Sequence, residues 1–116
     1  MPSGIEHPDV LDLLTESSKD SILRLIIVGP EVWTGSDEEQ RLLEQKIRAY
    51  LDYVESGALY ESYPDALLWR KMFQIDTQSR VPTTTRGTID RLAAYLRAEH
   101  GIELRLYDVA IDDKNA

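Results

Sequence analysis

Ser36-Asp37-Glu38-Glu39-Gln40-Arg41-Leu42-Leu43-Glu44-Gln45-Lys46-Ile47-Arg48-Ala49-Tyr50-Leu51-Asp52-Tyr53-Val54-Glu55-Ser56-Gly57 is the stretch whose reading decides the fold. Ser36 followed three residues later by Glu39 has the form of a capping box, in which each side chain satisfies a free N–H of the first turn. Asp37, Glu38 and Glu39 also stand where the helix dipole favours negative charge. From there Leu43, Ile47, Tyr50, Leu51 and Val54 recur at helical spacing and form one apolar face. Asp37 with Arg41, and Glu44 with Arg48, are spaced for i,i+4 ion pairs on the outside. Gly57 suits the left-handed residue that ends a helix. A helix placed between two strand-like runs makes a crossover, and a short crossover sets the strands it joins parallel and right-handed.

Working outward, Ile22 to Val28 is the strand before the helix, closed by Gly29-Pro30. Upstream, Val10 to Leu14 follows a His7-Pro8 step that favours extended backbone. The polar cluster Glu16 to Asp20 then makes a turn, so the two apolar runs read as a hairpin. Downstream, Ala58 to Asp65 adds a helical turn or two before Tyr63-Pro64 breaks the chain. Met72 to Asp76 is a third strand, and Ser79 to Thr85 a loop containing Pro82. A second long helix with Ile89, Leu92, Ala93 and Leu96 inward ends at His100-Gly101. Ile102 to Val109 is the last strand, alternating Ile102, Leu104 and Leu106 against Glu103, Arg105 and Tyr107.

The expected fold is therefore an α+β two-layer sandwich: a four-stranded mixed sheet in the order β-β-α-β-α-β, with two helices on one face. Its expected core comprises Leu25, Ile27, Ile47, Leu51, Val54, Phe73, Ile75, Leu92, Leu96, Leu104 and Leu106. A chain of 116 residues reads as a single domain, 1–116, with an ordered core of about 5–110 and a polar tail at 111–116.

The absence of cysteine excludes a disulfide framework, thiolate metal ligation and a cysteine nucleophile. The start of the chain has no basic n-region followed by an apolar one, so no signal peptide is expected. The longest apolar run, Leu25 to Val28, is far too short to span a bilayer. A soluble cytoplasmic protein with no membrane partner is expected. The net charge of −8 argues against nucleic acid as a partner, because phosphate neutralisation needs a basic footprint. The charge is also polarised: residues 1–66 carry 14 acids against 5 bases, whereas residues 67–105 carry 4 against 7.

No catalytic template is present: no Gly-x-Ser-x-Gly elbow, no phosphate-binding Gly-rich loop and no His pair at metal-ligand spacing. No catalytic residue, metal ligand or cofactor is assigned. Asp76, at a strand's C-terminal end, is the best-placed carboxylate, although such an Asp more often caps a turn. His100, in a last helical turn, reads as a dipole-stabilised cap.

Two surfaces stand out. Arg80-Val81-Pro82-Thr83-Thr84-Thr85-Arg86-Gly87-Thr88 places hydroxyls and guanidinium forks at a helix start, a candidate anion corner formed by Arg80, Thr84, Thr85, Arg86 and Thr88. The competing reading is helix capping by Thr with solvated Arg. The second surface is the sheet face left bare by the helices, on which Ile22, Arg24, Ile26, Val28, Arg105 and Tyr107 are interface candidates. A strand apolar on both parities, such as Ile22 to Val28, is usual where both faces are covered. Either a second copy of the chain or the chain's own termini cover that face. Trp33, in the loop before the helix, is a further interface candidate, set against a ring folded over Leu43 to seal the helix start.

Ile5-Glu6-His7-Pro8-Asp9-Val10-Leu11-Asp12, together with Gln45-Lys46-Ile47-Arg48-Ala49-Tyr50-Leu51, Glu55-Ser56-Gly57-Ala58-Leu59 and Tyr63-Pro64-Asp65-Ala66, resembles a family of small bacterial proteins of unknown function. The resemblance covers roughly residues 5–110 and is weakest from Leu67 to Arg80. It implies a bacterial cytoplasmic origin and no activity. The leading functional expectation is a non-enzymatic protein-interaction module, self-associating as a dimer. The alternatives are an immunity-like or regulatory acidic protein that masks a basic partner, and a small anion- or nucleotide-binding protein using the Arg80–Thr88 helix start.

Overall fold

The computed structural model describes residues 4–7 and 11–109. The expected start of the first strand at Val10 and the tail 111–116 lie outside them. The elements run β1 (Leu13–Ser17), β2 (Ile22–Val28), α1 (Asp37–Glu55), α2 (Ala58–Ser62), a 3-10 turn (Pro64–Leu68), β3 (Arg70–Thr77), α3 (Thr83–His100) and β4 (Glu103–Asp108). The four strands lie side by side in sequence order. β1 is antiparallel to β2, while β2–β3 and β3–β4 are parallel, as two helical crossovers require. The result is the expected α+β two-layer sandwich with a mixed sheet.

α1 behaves as its sequence predicts. Ser36 is extended at the N-cap and its Oγ accepts from Glu39 N at 3.2 Å. The return half of the box differs: the Glu39 carboxylate accepts from Thr34 N and Gly35 N instead, tying the preceding loop to the helix. Gly57 sits at φ +86°, where a Cβ would be strained. Glu44 pairs with Arg48 as expected, but Arg41 takes Glu38 rather than Asp37, one helical position closer.

Other boundaries move. β1 reaches Ser17, two residues into the expected turn, because an edge strand needs only backbone pairing with β2 and tolerates polar side chains. The expected loop Ser79–Thr85 gives up Thr83 to Thr85 to the first turn of α3, with Pro82 at its N-cap.

The core lies between the sheet and the helices. Leu23, Leu25 and Ile27 of β2, Phe73 and Ile75 of β3, and Leu104 of β4 meet Leu43, Ile47, Leu51 and Val54 of α1 and Ile89, Leu92 and Leu96 of α3. Leu106 is only partly buried at its edge. Removing the Phe73 ring from this cluster costs about 3–5 kcal/mol in comparable cores. Among the described residues, no helix is long and apolar enough to cross a membrane.

Candidate functional site

Alternation along the strands sends one set of side chains to the helices and the other to the uncovered face. Strand register arranges the uncovered set in four rows. The first is Ser17, Ile22 and Arg70; the second Thr15, Arg24, Met72 and Glu103. The third is Leu13, Ile26, Gln74 and Arg105; the fourth Val28, Asp76 and Tyr107. Leu13 is 48% exposed, and Ile22, Arg24, Val28 and Tyr107 are half-buried. Arg105 and Glu103 are exposed, the latter in an ion pair with Arg70. Ile26 differs from expectation: it retains only 7% exposure in the single chain, because its place in a central strand lets neighbouring rows close over it. Met72 and Gln74 beside it are equally buried, Gln74 Nε2 donating to Asp76 Oδ1 at 2.8 Å.

Trp33 is not available to a partner. Its ring joins the core cluster that contains Leu43, and its Nε1 donates to Thr77 Oγ1 at 2.9 Å. An indole with its one donor satisfied gains by burial. Gly29 makes room for it: a Cβ there would stand 2.8 Å from Trp33 Cζ2 and 2.6 Å from the Asp76 carbonyl.

The Arg80–Thr88 corner opens as a groove of about 850 Å³ beside the C-terminal ends of β3 and β4. Arg80, Thr83 and Arg86 line it, and Pro82 offers the first N–H groups of α3 no side-chain cap. Two of the expected anion ligands are committed elsewhere. The Thr85 side chain is fully buried, its hydroxyl donating to Glu39 Oε1 and accepting from Gln40 Nε2. Thr88 is buried, with its hydroxyl on the Thr84 carbonyl. Thr84 is exposed but does not line the groove. Asp90 and Asp108 do, so the groove has mixed charge rather than an anion's matched cradle.

A third assembly was hidden in the sequence. Lys46 Nζ donates to Asp12 Oδ1 at 2.8 Å, and neither side chain retains any exposure. The same Nζ donates to the His7 carbonyl at 2.7 Å. Asp12 also accepts from Gly4 N and Val28 N. Its own N–H donates to the Tyr50 hydroxyl, which donates in turn to the Ile26 carbonyl. Burial raises the Tyr50 hydroxyl well above the usual phenol range. The network clamps residues 4–7 onto α1, with Ile5 entering the core. The available signal was Lys46 itself, which falls on the apolar stripe between Leu43 and Tyr50.

At the opposite end His100 bridges the two long helices. Its Nδ1 lies 3.0 Å from Glu55 Oε2 and its Nε2 3.2 Å from the Tyr95 hydroxyl. Asp76, the best-placed carboxylate by sequence, is half-buried on the open face, with its main-chain carbonyl taken by Gly29 N. Among the described residues no three His, Asp or Glu side chains come together to hold a metal ion.

The model of a family of unknown function, DUF6572, matches residues 3–109. No curated protein and no solved structure matches the chain.

Proposed function

The chain belongs to this family of unknown function, from which no activity follows, and we propose that it is a non-enzymatic protein-interaction module whose contact surface is the open face of the sheet. One observation carries the reading. Leu13, Ile22 and Val28 remain partly exposed around the buried pair Ile26 and Met72, with Arg24 and Gln74 beside that pair and Arg70, Asp76, Glu103 and Arg105 along the β3–β4 side. Partly exposed aliphatics bordered by charged side chains on an uncovered sheet face are usual at a protein contact. The absence of cysteine suits the reducing cytoplasm in which we place it.

The test is site-specific photo-crosslinking in cells. A benzophenone side chain is placed at Thr15, exposed on the open face, and separately at Gln45, exposed on α1. Discrete protein adducts from position 15 and not from position 45 are expected. Equal or absent adducts at the two positions remove the open face as a contact surface.

A second reading has its own support, the groove at the start of α3. Uncapped N–H groups and the Arg80 and Arg86 guanidiniums favour a small anion there, while Asp90 and Asp108 oppose it. Phosphate and sulfate at millimolar concentration should raise the thermal midpoint and shift the Arg86 amide resonance. If neither moves, this reading falls.

A further inference from the structure

We propose that the occupant of the open face is a second copy of this chain, stacked face to face about a two-fold axis that lies between the sheets and runs across the strands. The inference rests on the open face being the contact surface and adds the partner and its register. Two features on the page select a second copy. The chain carries a net charge of −8, so two copies repel through most of their surfaces. The open face escapes this, since Arg24, Arg70 and Arg105 stand against Asp76 and Glu103.

The register then selects the axis. An isologous contact must pair each residue with its complement on an identical surface. A two-fold along the strands would stack β1 of one copy on β4 of the other, setting Leu13 against Arg105 and Thr15 against Glu103. Both charges would face neutral groups. An axis across the strands, midway between the second and third rows, exchanges those rows and also exchanges the first with the fourth. Glu103 of each copy then faces Arg105 of the other, Arg70 faces Asp76, and Ile22 faces Val28. Two opposite-charge pairs and one aliphatic pair, each occurring twice, follow from register alone, while Arg24 faces the neutral Ile26 here as it would face the neutral Met72 about the other axis. Glu103 is already held toward Arg70 in the single chain, so it meets the second copy's Arg105 as the middle of an ion-pair row. Stacked sheets lie about 10 Å apart, within reach of facing Glu and Arg side chains. Four strands at about 4.8 Å and seven residues at about 3.3 Å give a face roughly 19 Å by 23 Å. That is at the small end of specific interfaces, so micromolar association is expected.

The experiment is analytical ultracentrifugation of the full chain, with circular dichroism confirming that each variant is folded. Glu103 and Arg105 are both exposed, so charge reversal there leaves the core intact. The wild type should sediment as twice 13.3 kDa at the upper end of a micromolar to submillimolar series. Glu103→Arg and Arg105→Glu should each weaken association at least about tenfold, by placing like charges opposite one another. The double variant Glu103→Arg/Arg105→Glu reverses the sense of both cross-copy pairs within one sequence, at the cost of the exposed Arg70–Glu103 pair, and should associate several-fold more tightly than either single variant. A 13.3 kDa species at every concentration overturns the second copy as occupant. Single variants that associate like wild type, or a double variant that stays as weak as the singles, overturn this axis. Crosslinks from Thr15 that reach only a different protein leave the contact surface standing and remove the second copy. No crosslink from Thr15 removes both.

Discussion

Asp12→Ala removes, in one substitution, the acceptor of three hydrogen bonds: Lys46 Nζ, Gly4 N and Val28 N. What remains is a lysine ammonium with no side-chain exposure that has lost the Asp12 carboxylate. Breaking a buried ion pair from one side typically costs about 3–5 kcal/mol, because the surviving charge keeps its desolvation penalty without its partner. Against a total stability of about 5–15 kcal/mol, that is a large fraction. With a urea m-value of about 1–3 kcal/mol/M, the midpoint should fall by more than about 1 M. Lys46→Met keeps the aliphatic stem and removes the charge, leaving Asp12 with two backbone donors, so its cost should be smaller. The double variant should cost less than the two singles together by at least about 1 kcal/mol, since neither buried group is then left waiting for the other. Equilibrium urea unfolding followed by far-ultraviolet circular dichroism measures all four corners of the cycle. An Asp12→Ala loss below about 1 kcal/mol, with the pair additive within about 0.5 kcal/mol, would refute the buried clamp.

Three further outcomes follow from the same geometry. Ser36→Ala frees Glu39 N at the start of α1 and should destabilise by about 1 kcal/mol in the same urea assay. Gly29→Ala drives a Cβ into the Asp76 carbonyl and the Trp33 ring, so about 1–3 kcal/mol of overpacking is expected, with a change in tryptophan fluorescence. Tyr50→Phe removes the bond to the Ile26 carbonyl and the acceptor for Asp12 N, and it also changes the alkaline limb. The folded Tyr50 phenol ionises above the unfolded value of about 10, so its contribution is complete below pH 10 and is lost as pH rises beyond it. The wild type should therefore lose stability more steeply above pH 10 than Tyr50→Phe, by up to about 1.4 kcal/mol per pH unit, and equal slopes would remove the burial effect.

The parts of the fold legible in the sequence are those with short-range causes. Capping at Ser36, the stripe from Leu43 to Val54 and the aliphatic run of β2 each carry their signal within a few residues. Where the determinant is long-range, the reading slips. Thr15-Glu16-Ser17 is polar and turn-like by composition, yet pairing with Leu23 and Arg24 holds it in the sheet. Thr83 to Thr85 looks like loop because Pro82 supplies no capping side chain. What holds that turn is Thr85 reaching Glu39, 46 residues away. The role of Lys46 is not legible because a lysine on a helix is ordinarily solvated, and nothing near it in sequence announces Asp12, 34 residues upstream. Of the candidate site, the open face was legible through strand parity. The burial of Ile26 and Trp33 was not, since it depends on what other segments bring to them.

Asp12, Lys46 and Tyr50 meet at the clamp that fastens the N-terminal segment to α1, a requirement of the fold. Function is better sought where the fold's own demands are weak. On the helix-facing side of β3, Phe73 and Ile75 are what any such sandwich needs. On the other side, Gln74 sits in the middle of a central strand at 8% exposure, tied to Asp76 by a single bond. An aliphatic side chain there would bury more apolar surface and leave no amide to satisfy. If the open face is the contact surface we propose, the polar residue at its centre and the opposed charges one row apart would favour a surface with the matching charge order. Selectivity of that kind comes from the unpaired charges a wrong partner would bury.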